Sequence, residues 1–185
     1  MVKLLGISGS LRRASYNSSL LRAATRLMPP EAELVVASIR DIPLYDGDVE
    51  AQGIPAAVTQ LKEAVAAASG VLLVTPEYNN SIPGVFKNAI DWLSRPNSDI
   101  RRVFGGRPFA VIGASPGGFG TTLSQAAWLP VLRTLGAQFW SGGRLQVARA
   151  GSVFDEAGNL RDAEIEERLK QLLAGYVAFV RRSVS

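Results

Sequence analysis

Hydroxyl, amide and guanidinium side chains crowd residues 8–19, between a short apolar run and an amphipathic stretch that begins near Asn17. A strand, such a loop and a helix start would gather backbone N–H groups and the positive end of a helix dipole around one small volume, which suits a phosphate. Arg12 and Arg13 add charge, and the Ser and Asn side chains add hydrogen-bond donors. An ordinary turn in which Asn17 or Ser15 caps the helix would look the same, so this first loop alone leaves both interpretations open.

Two later loops of unusual composition also follow apolar runs. Residues 75–84 form a second loop, in which two prolines stiffen the backbone and Tyr78 offers a flat aromatic face. Backbone N–H groups there precede a helix start and could bond the polar edge of a planar heterocycle. Residues 115–122 form a third loop, whose three glycines permit close approach of the backbone to a ligand.

The composition excludes most catalytic chemistry that side chains perform by themselves. The 185 residues include no histidine and no cysteine. This removes Ser-His and Cys-His nucleophiles, disulfides, thiolate metal sites, and most zinc and non-haem iron sites. We therefore expect no metal site and no catalytic side chain, with a cofactor carrying out the difficult step.

The first loop matches none of the common nucleotide or nucleophile motifs. Residues 6–13 lack the Gly-Lys-Ser/Thr ending of a Walker A loop, the G-x-G-x-x-G fingerprint and the G-x-S-x-G elbow. A phosphorelay receiver needs acidic residues where this chain has Ser8 and Thr75. What remains is a phosphate pocket with two further loops above it. A planar ring held between stiff loops, with its phosphate in the first loop, describes flavin mononucleotide (FMN).

The charge pattern argues against large anionic partners. The net charge is +4, but the Lys and Arg residues are scattered, without a basic stripe that contains aromatic residues. We expect no nucleic-acid partner. The chain has no apolar run of membrane-spanning length and no signal-peptide pattern at its start, so we expect a cytoplasmic protein with no membrane partner.

Apolar runs and amphipathic stretches alternate five times, which predicts an α/β fold with a parallel sheet in the order 2-1-3-4-5. In that order the three loops converge at one edge, where such sheets bind ligands. We expect a single domain over residues 1–185. The expected strands lie at 2–8, 33–39, 71–75, 108–114 and within 138–147, and the expected helices at about 17–27, 54–68, 83–93, 123–135 and 161–181.

The first two loops resemble those of the NADPH-dependent FMN reductases. Gly9-Ser10-Leu11-Arg12, with Ser15 and Asn17, is similar to the phosphate loop of that family. Residues 75–79 (TPEYN), followed by 81–94 (SIPGVFKNAIDWLS), are similar to its second signature almost without gaps. The third loop lies where the family varies. The resemblance covers nearly the whole chain in the order of its strands and helices. Within that family, the pattern of this sequence is most similar to that of the quinone and chromate reductases.

The resemblance implies a flavodoxin-like three-layer fold, tightly bound FMN, reduction by NADPH or NADH, and a homodimer or homotetramer. It implies electron transfer to quinones, free flavin, azo compounds or metal oxyanions such as chromate. By position, Ser10, Arg12, Ser15, Asn17 and Ser18 would hold the phosphate; Pro76, Glu77, Tyr78 and Asn79 would line the isoalloxazine; Ser115 and Gly118 would flank the ring and ribityl chain.

Other interpretations remain open at this stage. Glu77 could be a solvated loop charge or could pair with an arginine across a subunit contact, and Tyr78 could simply cover the core. The whole chain could be a non-enzymatic electron carrier of the flavodoxin kind, or a binding module that has lost the cofactor. Such carriers tend to be acidic, whereas this chain is basic, so a reductase is the favoured interpretation.

Overall fold

A parallel β-sheet forms the centre of the molecule in the computed structural model, which describes residues 1–184. The strands are β1 (Val2–Ser8), β2 (Ala32–Ala37), β3 (Gly70–Val74), β4 (Pro108–Ala114), β5 (Gln138–Phe139) and β6 (Gln146–Val147). They follow the order β2-β1-β3-β4-β5, as predicted, and all these pairings are parallel. Parallel neighbours need long crossover connections, which helices provide here.

Helices cover both faces of the sheet and complete the predicted three-layer, flavodoxin-like fold. The helices are α1 (Tyr16–Arg26), α2 (Gly47–Gln52), α3 (Ala56–Ala67), α4 (Gly84–Leu93), α5 (Ile100–Val103), α6 (Thr122–Thr134), α7 (Ala150–Val153) and α8 (Ala163–Val184). Successive residues of a strand point to opposite faces, so Leu72 packs in the core under α1 and α8, and Leu73 packs in the core under α3, α4 and α6. Among residues 1–184, no helix is both long enough and apolar enough to cross a lipid bilayer.

The fifth strand, expected somewhere within residues 138–147, is split into two short strands. Both β5 and β6 pair with β4, and the chain between them leaves the sheet. The cause is Trp140, which is buried and lies against Tyr176 with ring centroids 5.4 Å apart. A Cβ atom on Gly142 would lie 2.6 Å from the Trp140 indole nitrogen, so the chain needs glycine where it folds over that ring.

Two segments that lie between the expected strands and helices contain short helices. In residues 41–48 the Asp46 side chain accepts a hydrogen bond from the Asp48 backbone N–H at 2.8 Å and starts α2. Residues 96–106 contain a 3-10 turn at Asn97–Asp99 and then α5.

The register of the central strands brings the three loops to one edge. Ser8 at the end of β1 pairs with Val74 at the end of β3, and Val74 pairs with Ile112 near the end of β4. Each of the three loops begins at one of these strand ends. They therefore leave the sheet side by side, at the position where parallel α/β sheets bind ligands.

Candidate cofactor-binding cleft

One cleft at this edge is lined by all three loops. This arrangement is the convergence expected from the strand order. Eight of the eleven predicted cofactor-binding residues line it, seven from the first two loops and Ser115 from the third, while Ser18, Asn79 and Gly118 do not. The lining residues are Ser10, Arg12, Ser15, Tyr16 and Asn17 from the first loop, Pro76, Glu77 and Tyr78 from the second, and Ala114, Ser115 and Pro116 beside the third.

The start of α1 presents unpartnered backbone N–H groups to this cleft. The Ser15 side chain caps the helix by accepting a hydrogen bond from the Ser18 N–H at 3.3 Å. Within residues 1–184, the N–H groups of residues 13–17 have no protein acceptor, and residues 15–17 among them line the cleft. Ser15 and Asn17 are buried, so their N–H groups need a partner that the cleft would supply. The two interpretations of the first loop, capping and anion binding, are therefore compatible.

Asn17 itself makes a buried bridge between the first loop and β4. Its side-chain amide donates to the Ala114 carbonyl at 2.8 Å, and its side-chain oxygen accepts from the Ala114 N–H at 2.9 Å. These two bonds occupy one donor and one acceptor of the side chain. Asn17 thus fixes the distance between the first and third loops, in addition to the phosphate contact predicted for it.

Ser18 faces a neighbouring cavity on the other side of the first loop. Its hydroxyl lies 3.1 Å from the hydroxyl of Ser8, and both residues line that second cavity. Ser10 and Arg12 line both spaces. The phosphate contact predicted for Ser18 stays a prediction.

The second loop is a stiff turn whose Tyr78 lies at the rim of the cleft. Tyr78 and Ser81 exchange backbone hydrogen bonds of 3.2 and 3.0 Å, and the residues between them, Asn79 and Asn80, have φ angles of 49° and 60°. Two successive positive φ angles define a type I′ turn, which asparagine tolerates well. The Tyr78 side chain is 45% exposed, so it does not cover the core.

Glu77 joins the second loop to the helix that follows the third. Its carboxylate accepts hydrogen bonds from the backbone N–H groups of Leu123 and Ser124, at 2.8 and 2.9 Å. Both donors lie in the first turn of α6, where a carboxylate is favoured by the free N–H groups and the helix dipole. Within residues 1–184, Glu77 forms no ion pair, and a role toward the flavin ring stays a prediction.

Backbone hydrogen bonds attach the third loop to residues 147–150. The Ser115 N–H donates to the Val147 carbonyl at 2.9 Å, and the Ser115 carbonyl accepts from the Ala150 N–H at 3.0 Å. Gly118 is exposed, and a Cβ atom there would meet no atom within 4 Å. Gly118 therefore lies outside the cleft, and its predicted contact with the ribityl chain stays a prediction.

The residues of the cleft fit FMN. Unpartnered N–H groups at a helix start and the Arg12 guanidinium are suited to a phosphate dianion. The other two loops offer backbone groups and the exposed Tyr78 ring to a planar heterocycle.

The sequence analysis did not predict three of the residues that line the cleft, Tyr16, Ala114 and Pro116. Each of them is next in sequence to a predicted lining residue, and this adjacency is the signal that could have identified it.

Comparisons with known proteins agree with this geometry. The family model for NADPH-dependent FMN reductases matches residues 2–151. The chain is 43% identical over 181 residues to the NAD(P)H-dependent FMN reductase PA1204 of Pseudomonas aeruginosa, covering 98% of this chain and 96% of that protein. It is 36% identical over 180 residues to a 2-hydroxy-1,4-benzoquinone reductase of Burkholderia sp., covering 97% of each. Among solved structures, the flavoenzyme NAD(P)H:(acceptor) oxidoreductase FerB of Paracoccus denitrificans matches with a TM-score of 0.88 and 31% identity over 99% of both chains.

Proposed function

This chain belongs to the family of NADPH-dependent FMN reductases, and from that premise we propose that it is an FMN-containing oxidoreductase that passes electrons from NAD(P)H to a quinone. The observation that carries the proposal is the cleft in which the phosphate loop, the stiff second loop and the third loop meet. We also propose that the chain acts as one domain in the cytoplasm.

In this proposal the side chains bind and orient, because the chain has no histidine or cysteine to act as a nucleophile. FMN, when bound, supplies the electron transfer. The N–H groups of residues 13–17 and the Arg12 guanidinium would hold its phosphate, with Ser10, Ser15 and Ser18 as further donors. Pro76, Glu77, Tyr78 and Asn79 would line the isoalloxazine, with Ser115 and Gly118 beside the ring and ribityl chain.

The quinone assignment is supported by the names of relatives. A relative that is 36% identical over nearly its full length acts, by its name, on 2-hydroxy-1,4-benzoquinone. A quinone is flat and weakly polar, which suits a rim that carries Tyr78 and exposed apolar groups. Free flavin, azo compounds and metal oxyanions such as chromate are further candidates from the sequence.

We place the proposed subunit interface of a homodimer or homotetramer on the outer face of α4 and α6. These helices touch through Phe86 and Trp128, whose ring centroids are 5.0 Å apart. Beside that contact, Val85 and Leu129 are 37% and 43% exposed. Exposed apolar side chains on the outer faces of two helices in contact are typical of an interaction surface. Light scattering of the purified protein tests whether it forms an oligomer.

Anaerobic reduction of the purified protein tests the proposed activity. We expect yellow protein whose flavin absorbance is lost on adding NADPH or NADH and regained on adding 1,4-benzoquinone. Free FMN, an azo dye and chromate serve as competing acceptors. Colourless protein that takes up no FMN, or flavin absorbance that neither nucleotide changes, would contradict the proposal. Reduction without steady-state NAD(P)H oxidation in the presence of acceptor would instead indicate an electron carrier.

A further inference from the structure

A pair of buried hydroxyl groups connects the second loop to α6. Thr75 is the first residue of that loop, Ser124 lies in the first turn of α6, and both side chains are fully buried. Their hydroxyl oxygens are 2.9 Å apart. Neither residue lines the cofactor cleft, so the pair acts on the cleft only through the residues that it holds in place.

The directions of these hydrogen bonds follow from the number of protons available. The Thr75 hydroxyl lies 2.9 Å from the Pro76 carbonyl, which can only accept, so Thr75 donates its single proton there. The hydrogen bond between the two hydroxyl groups therefore takes its proton from Ser124. A directed chain of hydrogen bonds thus runs from Ser124 Oγ to Thr75 Oγ1 and on to the Pro76 carbonyl.

This chain of hydrogen bonds fixes the orientation of the peptide group between Pro76 and Glu77. Within residues 1–184, the Thr75 hydroxyl is the only protein donor to the Pro76 carbonyl. The peptide group is planar and trans, so the Glu77 N–H points in the direction opposite to that carbonyl, away from the buried hydroxyl. Pro76 and Glu77 both line the cleft, and the Glu77 N–H is therefore directed to the cleft side of the loop.

The Glu77 N–H is a donor that the protein leaves available. In the part of the chain that the structure describes, it has no protein acceptor, although Glu77 is half-buried. The neighbouring N–H groups of the loop are both bonded, since Thr75 donates to the Ile112 carbonyl at 2.8 Å and Tyr78 donates to the Ser81 carbonyl at 3.2 Å. A half-buried N–H needs a partner, and a ligand in the cleft would supply one.

Ser124 holds this peptide group from both sides. Its hydroxyl bonds to Thr75, which precedes the peptide, and its backbone N–H donates at 2.9 Å to the carboxylate of Glu77, which follows it. Two attachments to one residue of α6, one before and one after the peptide group, oppose rotation of that group. The N–H is thereby oriented before any ligand binds.

We propose that Ser124 and Thr75 are positioning residues that direct the Glu77 N–H at the ring of bound FMN and so favour its reduced form. The proposal rests on the proposed function and names residues that adjust the cofactor's potential. A donor oriented in advance stabilises negative charge that develops on a bound group, because no reorganisation is needed. A hydride carries one proton and two electrons, so its transfer adds one negative charge to the ring. The fixed N–H therefore binds the reduced ring more strongly than the oxidised ring.

The midpoint potential of the FMN-loaded protein tests the proposal without turnover, because its shift depends only on the ratio of the affinities for reduced and oxidised FMN. A purely structural role, which would weaken both affinities alike, would leave the potential unchanged. Ser124→Ala and Thr75→Val remove one hydroxyl each, whereas Ser124→Thr and Thr75→Ser keep it. The matched control is Ser94→Ala, which removes a hydroxyl that donates to the Asp91 carbonyl at 2.7 Å and does not line the cleft.

At one fixed pH, we expect Ser124→Ala and Thr75→Val to lower the potential by about 30 mV, which corresponds to a tenfold smaller preference for reduced FMN. The variants that keep the hydroxyl, and Ser94→Ala, should match the wild type. An unchanged or raised potential in either hydroxyl-free variant that holds FMN, an equal shift in the hydroxyl-keeping variants, or loss of FMN from both hydroxyl-free variants would overturn the proposal. Wild-type protein that holds FMN and is reduced by NAD(P)H would then still support the proposed function, whereas wild-type protein that takes up no FMN would contradict that function itself.

Discussion

The first and third loops lie next to each other at one edge of the sheet, yet the protein holds them in different ways. In the first loop, Asn17 and Ser15 are buried and hydrogen-bonded through their side chains. The third loop is attached through backbone hydrogen bonds to residues 147–150, and its Phe119 is 86% exposed. A preorganised loop suits the constant phosphate of a cofactor, whereas an exposed loop can vary with the acceptor.

Asn17→Ala should have the largest effect, because it leaves the buried N–H and carbonyl of Ala114 without partners. We expect a loss of about 3 kcal/mol in the free energy of unfolding, together with weaker FMN retention. The matched control is Asn88→Ala. Asn88 also bridges backbone groups, accepting from Tyr45 and donating to Pro43 at 2.8 Å each, but away from the cleft. Denaturant unfolding and flavin content measure both effects; equal FMN loss in the two variants would break the contrast between the loops.

Gly9→Ala should destabilise nearly as much, whereas Gly118→Ala should not. A Cβ atom on Gly9 would lie 2.1 Å from Cδ1 of Phe86, which is fully buried, and one on Gly118 would meet nothing within 4 Å. Overpacking at Gly9 should cost about 2 kcal/mol. Thermal denaturation of both variants measures this difference. Similar melting temperatures would show that the first loop is no more tightly packed than the third.

Glu77→Ala should cost about 1 kcal/mol, the usual effect of losing a side-chain cap on the first turn of a helix. The loss should appear as a lower melting temperature and faster FMN release, because Glu77 connects the second loop to α6. Glu77→Gln keeps one acceptor oxygen and should retain part of the stability. If Glu77→Ala unfolds like the wild type, this connection does not stabilise the cleft.

Phe119→Ser should have the smallest effect on stability, within about 0.5 kcal/mol, because the side chain is exposed. Its effect should appear in the acceptor half of the reaction. We expect a changed KM for the quinone with FMN content unchanged, measured by steady-state kinetics and absorbance. Loss of FMN in this variant would mean that the third loop grips the cofactor as the first does.

The fold was predictable because its strands are apolar runs, as in the wholly buried β3, and its connections have clear helix patterns. The split of the fifth strand was not, because it depends on Trp140 packing against Tyr176, 36 residues later. The cleft was predictable in outline. The partners of Glu77 and Asn17 were not, because both bind backbone groups that any residue type could provide, 46 and 97 positions away.

Titration of the cofactor-free protein with FMN and with riboflavin tests the central claim most directly, because the two ligands differ only in the phosphate. We expect one FMN per chain and riboflavin binding at least about a hundredfold weaker, since the phosphate would lose its contacts with the N–H groups of residues 13–17 and with Arg12. Failure to bind FMN, or equal affinity for the two flavins, would contradict the account.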